Sequence, residues 1–169
     1  MTRTHASPFV LLALACSPAF AAMPAEPPAG PTVDIVGVWK NMVQFTVCAT
    51  GLPVPGRVPF PALNSFFMDG NVIENGAGLS SAKRSISHGR WQQVGKRTFI
   101  ARSELQLFEN ADLSWSGWQV MERTLHVAAD GNTLTSVATF MRYDTEGTLT
   151  FQGCATEEGT RQPEPAPAT

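Results

Sequence analysis

Apolar and polar residues alternate with period two over most of the chain, and the alternation is clearest where the turns are clearest. Trp118–Val127 and Thr133–Tyr143 are two such runs, joined by Asp130-Gly131-Asn132. A third opens at Thr148, after Asp144-Thr145-Glu146-Gly147, and runs through Phe151. Asp-Gly between alternating runs is a strong hairpin signal, because glycine tolerates the positive φ of a tight primed turn. Thr, Val, Phe, Tyr and Leu fill the runs, residues that suit a pleated, half-buried surface. The segment from Trp115 to Phe151 therefore predicts an antiparallel meander.

The rest of the chain keeps that rhythm. Ile35–Cys48 collects Ile35, Gly37, Trp39, Val43, Phe45 and Val47 on one face, with Asn41 as the polar exception, and Lys40, Met42, Gln44 and Thr46 on the other. Ala49 to Ala62 carries Pro53, Pro55, Pro59 and Pro61, which predicts a stiff loop rather than a central strand. Leu63–Met68 and Asn71–Gly76 form a hairpin about Asp69-Gly70, and Ala77–Ser87 is a polar connection. His88–Val94 turns at Gly95-Lys96 into Arg97–Phe108, where Phe99, Ala101, Ser103, Leu105 and Leu107 face away from Arg102, Glu104 and Gln106. Asn110–Ser114 reads as a loop. No segment has a helical period. Eight strands joined mostly by short turns predict an all-β fold, an eight-stranded antiparallel up-and-down barrel. The alternative, a two-sheet sandwich, needs longer crossovers than this chain offers.

The ends read differently. Residues 1–21 have the form of an export signal: Arg3, an apolar run from Phe9 to Ala15, and the small-x-small site Ala19-Phe20-Ala21. A rival reading makes Leu14-Ala15-Cys16 a lipoprotein signal, with Cys16 lipidated. Residues 22–32 are a proline-rich linker, and the barrel domain is expected over 33–161. The proline-containing stretch from Gly159 onward should be extended or disordered, with 162–169 as a tail. Both signal readings place the mature protein in the periplasm or outside the cell. No run reaches the ~18–20 apolar residues of a transmembrane helix.

The whole chain has 12 basic and 14 acidic residues. Loss of Arg3 with the signal leaves 11 against 14, a mature charge of −3. With no basic stripe, nucleic acid is not an expected partner. Cys48 and Cys154 remain in the exported chain and are expected to pair. Their bond would link the first strand to the last, and these become neighbours only if the sheet closes.

In these respects the chain resembles the lipocalin and calycin superfamily. Gly37-Val38-Trp39 matches its Gly-x-Trp, and Arg161 stands where the family often places a basic residue over that tryptophan. The long loop after the first strand sits where the family carries a lid. The C-terminal helix of the usual lipocalin is missing, so the resemblance is to a reduced, calycin-like barrel with a cavity. It implies structural roles for Gly37, Trp39 and Arg161.

Candidate chemistry is sparse. Trp115 and Trp118 could stack on a ligand or cap the core. His88 and His126 stand alone, whereas zinc wants three or four ligands; no metal or other cofactor is expected. Glu74 shares a face with Val72, and a carboxylate among apolar neighbours has a raised pKa and can act as a general acid or base. At a strand end it would instead be solvated or paired with Arg84 or Arg90. The leading expectation is a carrier holding a small apolar molecule among Phe45, Phe66, Phe99, Leu105, Met121 and Phe140, oriented by Asn41, Glu74, Arg90 or Ser103. The alternatives are a cofactor-independent isomerase or cyclase with Glu74 as its catalytic carboxylate, and a filled structural barrel.

Overall fold

The structure, a computed structural model, describes residues 34–109 and 112–164. The export signal, the lipidation alternative at Cys16, the proline-rich linker and the last five residues of the tail lie outside the described residues. Eight strands follow in chain order: β1 Gly37–Thr46, β2 Phe60–Phe66, β3 Asn71–Gly76, β4 Ser87–Gln93, β5 Thr98–Phe108, β6 Trp115–Val127, β7 Thr133–Tyr143 and β8 Leu149–Arg161. Each pairs antiparallel with the next, and β8 pairs with β1, so the sheet closes into an up-and-down barrel. No helix among the described residues is long and apolar enough to cross a membrane.

The closing seam runs from Trp39↔Arg161 to Thr46↔Cys154, and just beyond it Cys48 and Cys154 form a disulfide with their Cα atoms 5.1 Å apart. This arrangement is compatible with an oxidising, exported location.

Three element boundaries differ from those expected by three residues, the others by two or fewer. β2 begins at Phe60, inside the proline-rich stretch. The Pro61 carbonyl turns towards β3 and accepts from the Ala77 amide at 2.9 Å, one residue past the end of β3. The donor that proline lacks thus falls where the ladder is already ending. β6 starts at Trp115, across a register shift at Leu107/Phe108. β8 runs on to Arg161, so Gly159–Arg161 are paired strand rather than loose tail. Gly159 faces Asn41 on one side and Leu134 on the other.

One end of the barrel is packed shut. Ile35, Trp39, Phe66, Val72, Phe99, Leu125, Val127 and Leu134 form a core cluster there, with Trp91 against it. Trp39 donates from Nε1 to the Ile35 carbonyl at 2.8 Å, which satisfies its buried indole N–H. The Arg161 guanidinium lies 4.4 Å from the Trp39 ring centroid and donates to the carbonyls of Gly131, Val36 and Asp34. Gly37 is part of this closure. Its φ is +132°, and a Cβ there would come 2.9 Å from Arg161 Nη1. The short turns at Asp69-Gly70, Gly95-Lys96 and Asp130–Asn132 gather at this floor. The β1–β2, β3–β4 and β5–β6 connections, which are longer, and the β7–β8 turn lie at the opposite mouth.

Candidate functional site

Above the floor, the side chains at the middle of the barrel are polar. Arg123 of β6 reaches inward, its Nη1 3.0 Å from Glu74 Oε2 of β3 and 3.5 Å from Glu157 Oε1 of β8. The arginine side chain is 0 % exposed and the two carboxylates 6 % and 4 %, so bulk water screens these charges only weakly. Asn41 Nδ2 donates to Glu157 Oε2 at 3.1 Å. The Asn64 amide is satisfied with its oxygen accepting from Asn41 Nδ2 at 2.6 Å and Arg123 Nη1 at 3.0 Å, and its nitrogen donating to the Leu63 carbonyl at 3.2 Å.

Burial and the neighbouring Glu157 charge push the Glu74 carboxyl above its ordinary value, against the pull of Arg123 and Arg84. Burial also opposes the Arg123 charge, yet the two carboxylates hold its guanidinium above the usual arginine value. The two shifts do not mirror each other because one cation serves two acids: Arg123 stays charged, and Glu74 bears the cost. The Arg123–Glu74 contact is close but poorly aligned for a hydrogen bond. Ser87, Ser103 and Ser136 complete the belt, their hydroxyls lacking protein partners.

Between the belt and the mouth lies a throat of about 40 Å³, walled by Glu74, Arg84, Gln119, Met121 and Phe140 among others. That volume suits a water or two, not an organic molecule. Phe45 stands over it, with ring centroids 5.2 Å from Phe60 and 5.4 Å from Phe140. Outside this aromatic plug the space opens into a mouth cavity of about 470 Å³. Its walls are Val54 and Arg57 of the β1–β2 loop, Gly78 and Leu79 of the β3–β4 connection, and Phe140, Arg142 and Phe151 of the β7–β8 hairpin. The β1–β2 loop is folded back on the rim: Val54 donates to the Phe45 carbonyl at 2.9 Å, and Gln44 Nε2 to the Arg57 carbonyl at 3.2 Å. Gly153 makes room for the Phe140 ring, which a Cβ at that position would overlap.

The residues expected to form one interior site are distributed over three levels and the outer surface. Phe45, Glu74, Met121 and Phe140 line the throat, and Phe45 and Phe140 also line the mouth. Asn41 and Ser103 belong to the polar belt. Phe66 and Phe99 are floor core, and Leu105 is buried; none of these three lines the throat or the mouth. Arg90 requires correction. On β4 the inward parity belongs to Ser87, Gly89 and Trp91, so Arg90 projects outside and donates to Asn71 Oδ1 at 3.3 Å. Glu74 is neither solvated nor surrounded by apolar groups alone; its nearest cation is Arg123, which sequence reasoning overlooked. Trp115 and Trp118 meet at a 5.7 Å centroid distance on the outer rim and line neither throat nor mouth.

A signal for the missed residues does exist. Arg123 alternates with Met121 and Leu125, and Glu157 with Ala155, so simple parity puts both inside. Arg84 has no such signal. It turns inward because the β3–β4 connection runs beside the end of β5, with Ser85 donating to the Gln106 carbonyl at 3.0 Å and Phe108 to that of Lys83 at 3.0 Å. Its guanidinium is held by the carbonyls of Ser85, Gly76 and Glu74.

A depression of about 930 Å³ lies on the outside of β4–β8. The exposed pair of Arg102 with Glu122 lies in it. Among the described residues no cluster of three His, Cys, Asp or Glu stands close enough to hold a metal ion.

Fold and site together define a closed eight-stranded up-and-down barrel, consistent with a calycin-like fold, with one sealed end, a charged belt and a mouth bordered by the β1–β2 loop. The chain matches no protein-family model, and no curated protein matches it in sequence.

Proposed function

We propose that this is an exported small-molecule-binding barrel, lipocalin-like in its plan, whose ligand sits in the mouth rather than in the interior. The observation that carries the reading is the mouth cavity of about 470 Å³, which lies in the usual range for ligand pockets, whereas the throat beneath it holds about 40 Å³. Phe45, Phe140 and Phe151 supply apolar area, and burying such area is worth ~25 cal/mol per Å². The β1–β2 loop covers the opening from one side. Export through residues 1–21 fits a carrier or scavenger working in the periplasm or the medium.

A neutral fluorescent probe, N-phenyl-1-naphthylamine, tests the reading by titration. The native protein should bind one equivalent, and Val54→Trp, which fills the mouth from the loop side, should abolish the signal while the thermal midpoint is kept. Absence of saturable binding, or binding that Val54→Trp leaves intact, refutes a mouth site.

A further inference from the structure

We infer that the mouth selects an organic monoanion, a flat apolar body bearing one carboxylate or sulfonate head, with Arg142 as the residue that holds the head. The inference rests on the mouth-binding reading and adds the chemical class of the ligand.

The case begins with how the guanidiniums that face the barrel interior, the floor and the throat are satisfied. Arg123 has two carboxylates. Arg161 has three carbonyls and the Trp39 face. Arg84 has three carbonyls. Arg142 is different. It is half-buried in the wall of the cavity, and its Nε donates to Gln119 Oε1 at 2.9 Å. Among the described residues no carboxylate lies within 4.0 Å of it, and neither Nη atom has a protein hydrogen bond. Its Cζ lies 5.6 Å from the Phe151 ring centroid, so the guanidinium sits against the ring with both Nη groups unpaired. A planar fork with two open donors matches an oxyanion in geometry and charge.

The charges of the barrel interior point the same way. Glu74 and Glu157 supply two negative charges, and Arg84, Arg123 and Arg142 three positive ones, so one positive charge is in excess. Both acids lie at the belt, below the aromatic plug, while Arg142 and the exposed Arg57 face the mouth. A bound monoanion would balance the set. The rings set the rest of the ligand: Phe140 and Phe151 stack at 5.8 Å with 29° between their planes, and Phe45 tilts against Phe140. A flat body laid along these faces puts its head within reach of the Arg142 fork.

The test compares two probes with the same body, neutral N-phenyl-1-naphthylamine and anionic 8-anilinonaphthalene-1-sulfonate, titrated by fluorescence and by calorimetry for stoichiometry. The native protein should prefer the anion by at least about tenfold, the ratio that ~1.4 kcal/mol represents. Arg142→Gln should remove that preference, the ratio of the two probes' affinities in the variant falling to about one. Arg142→Lys, which keeps the charge without the fork, should retain part of it, and the thermal midpoint of each variant checks folding. Equal affinity of the native protein for both probes overturns the anion assignment while the mouth site stands. Anion preference that survives Arg142→Gln removes Arg142 from the role. Failure of both probes to bind overturns the mouth site itself and this inference with it.

Discussion

Replacing Arg123 by methionine tests the belt most directly. Methionine is unbranched and apolar and fills much of the space of the arginine stem, so the cavity term is small and the electrostatic term is isolated. In the native barrel one guanidinium serves Glu74 and Glu157, all three side chains being shielded from water. Without it two carboxylates face each other with no cation at hydrogen-bond distance, and the Asn64 oxygen loses one of its donors. Removing one partner of a buried pair costs ~3–5 kcal/mol. That is a large part of the ~5–15 kcal/mol total stability of a domain. Urea denaturation followed by tryptophan fluorescence reads the loss as a fall in midpoint. The pH dependence supplies an internal control. Arg123 draws the Glu74 carboxyl down, so its removal lets that carboxyl take a proton at higher pH. The deficit of Arg123→Met should therefore shrink as pH falls from about 8 to about 5, because a neutral carboxyl no longer needs a partner. The double variant Arg123→Met/Glu74→Gln should recover part of the loss at neutral pH. A stability within about 1 kcal/mol of native at neutral pH, or a deficit constant with pH, would refute the reading of the belt as a charge-compensated cluster.

Other outcomes follow from the same contacts. Glu74 has a folded-state pKa above its unfolded value near 4.5, so its stabilising proton is held below that value and lost as pH rises through the folded one. Glu74→Gln should accordingly gain on the native protein, in thermal midpoint, as pH rises above the unfolded carboxylate value; a gap independent of pH would show that this carboxyl titrates alike folded and unfolded. Arg161→Ala strips the floor of a cation–π contact and three carbonyl hydrogen bonds, at a cost of about 2–3 kcal/mol, with a red shift in Trp39 emission. Gly153→Ala forces the Phe140 ring aside, costing ~1–3 kcal/mol in chemical denaturation and altering probe affinity at the mouth. Cys48→Ser/Cys154→Ser should lower stability by up to ~4–5 kcal/mol, given the length of chain the bond encloses.

The barrel was legible because its signals are local. The Asp-Gly turns, period-two runs and missing helical period fixed the number and order of strands, and the Cys48–Cys154 pairing indicated which strands had to meet. β2 was misjudged at its start because a proline is hostile only to a rung that needs its donor, and Pro61 sits past such a rung. The site was much less legible. Parity alone put Asn41, Glu74, Phe45 and Phe140 inside, yet nothing in a strand pattern tells floor from belt or throat from mouth. Those levels depend on register across eight strands. Arg142 and Phe151 share a site because β7 and β8 pair Arg142 with Phe151 directly, whereas Arg57 arrives from a loop whose path no period describes.

The ladder that turns the sheet into a tube joins residues such as Asn41 and Gly159, the ends of the barrel sequence. Pairing so remote in the chain is disfavoured until everything between has found its place, so this edge should zip last. Until it does, β1 and β8 offer open backbone groups to any neighbouring chain. The cystine beside the rim makes that final event hard to reverse once the thiols are oxidised. The same bond anchors the root of the β1–β2 loop to β8, so a reducing environment would loosen the doorway and the staves together.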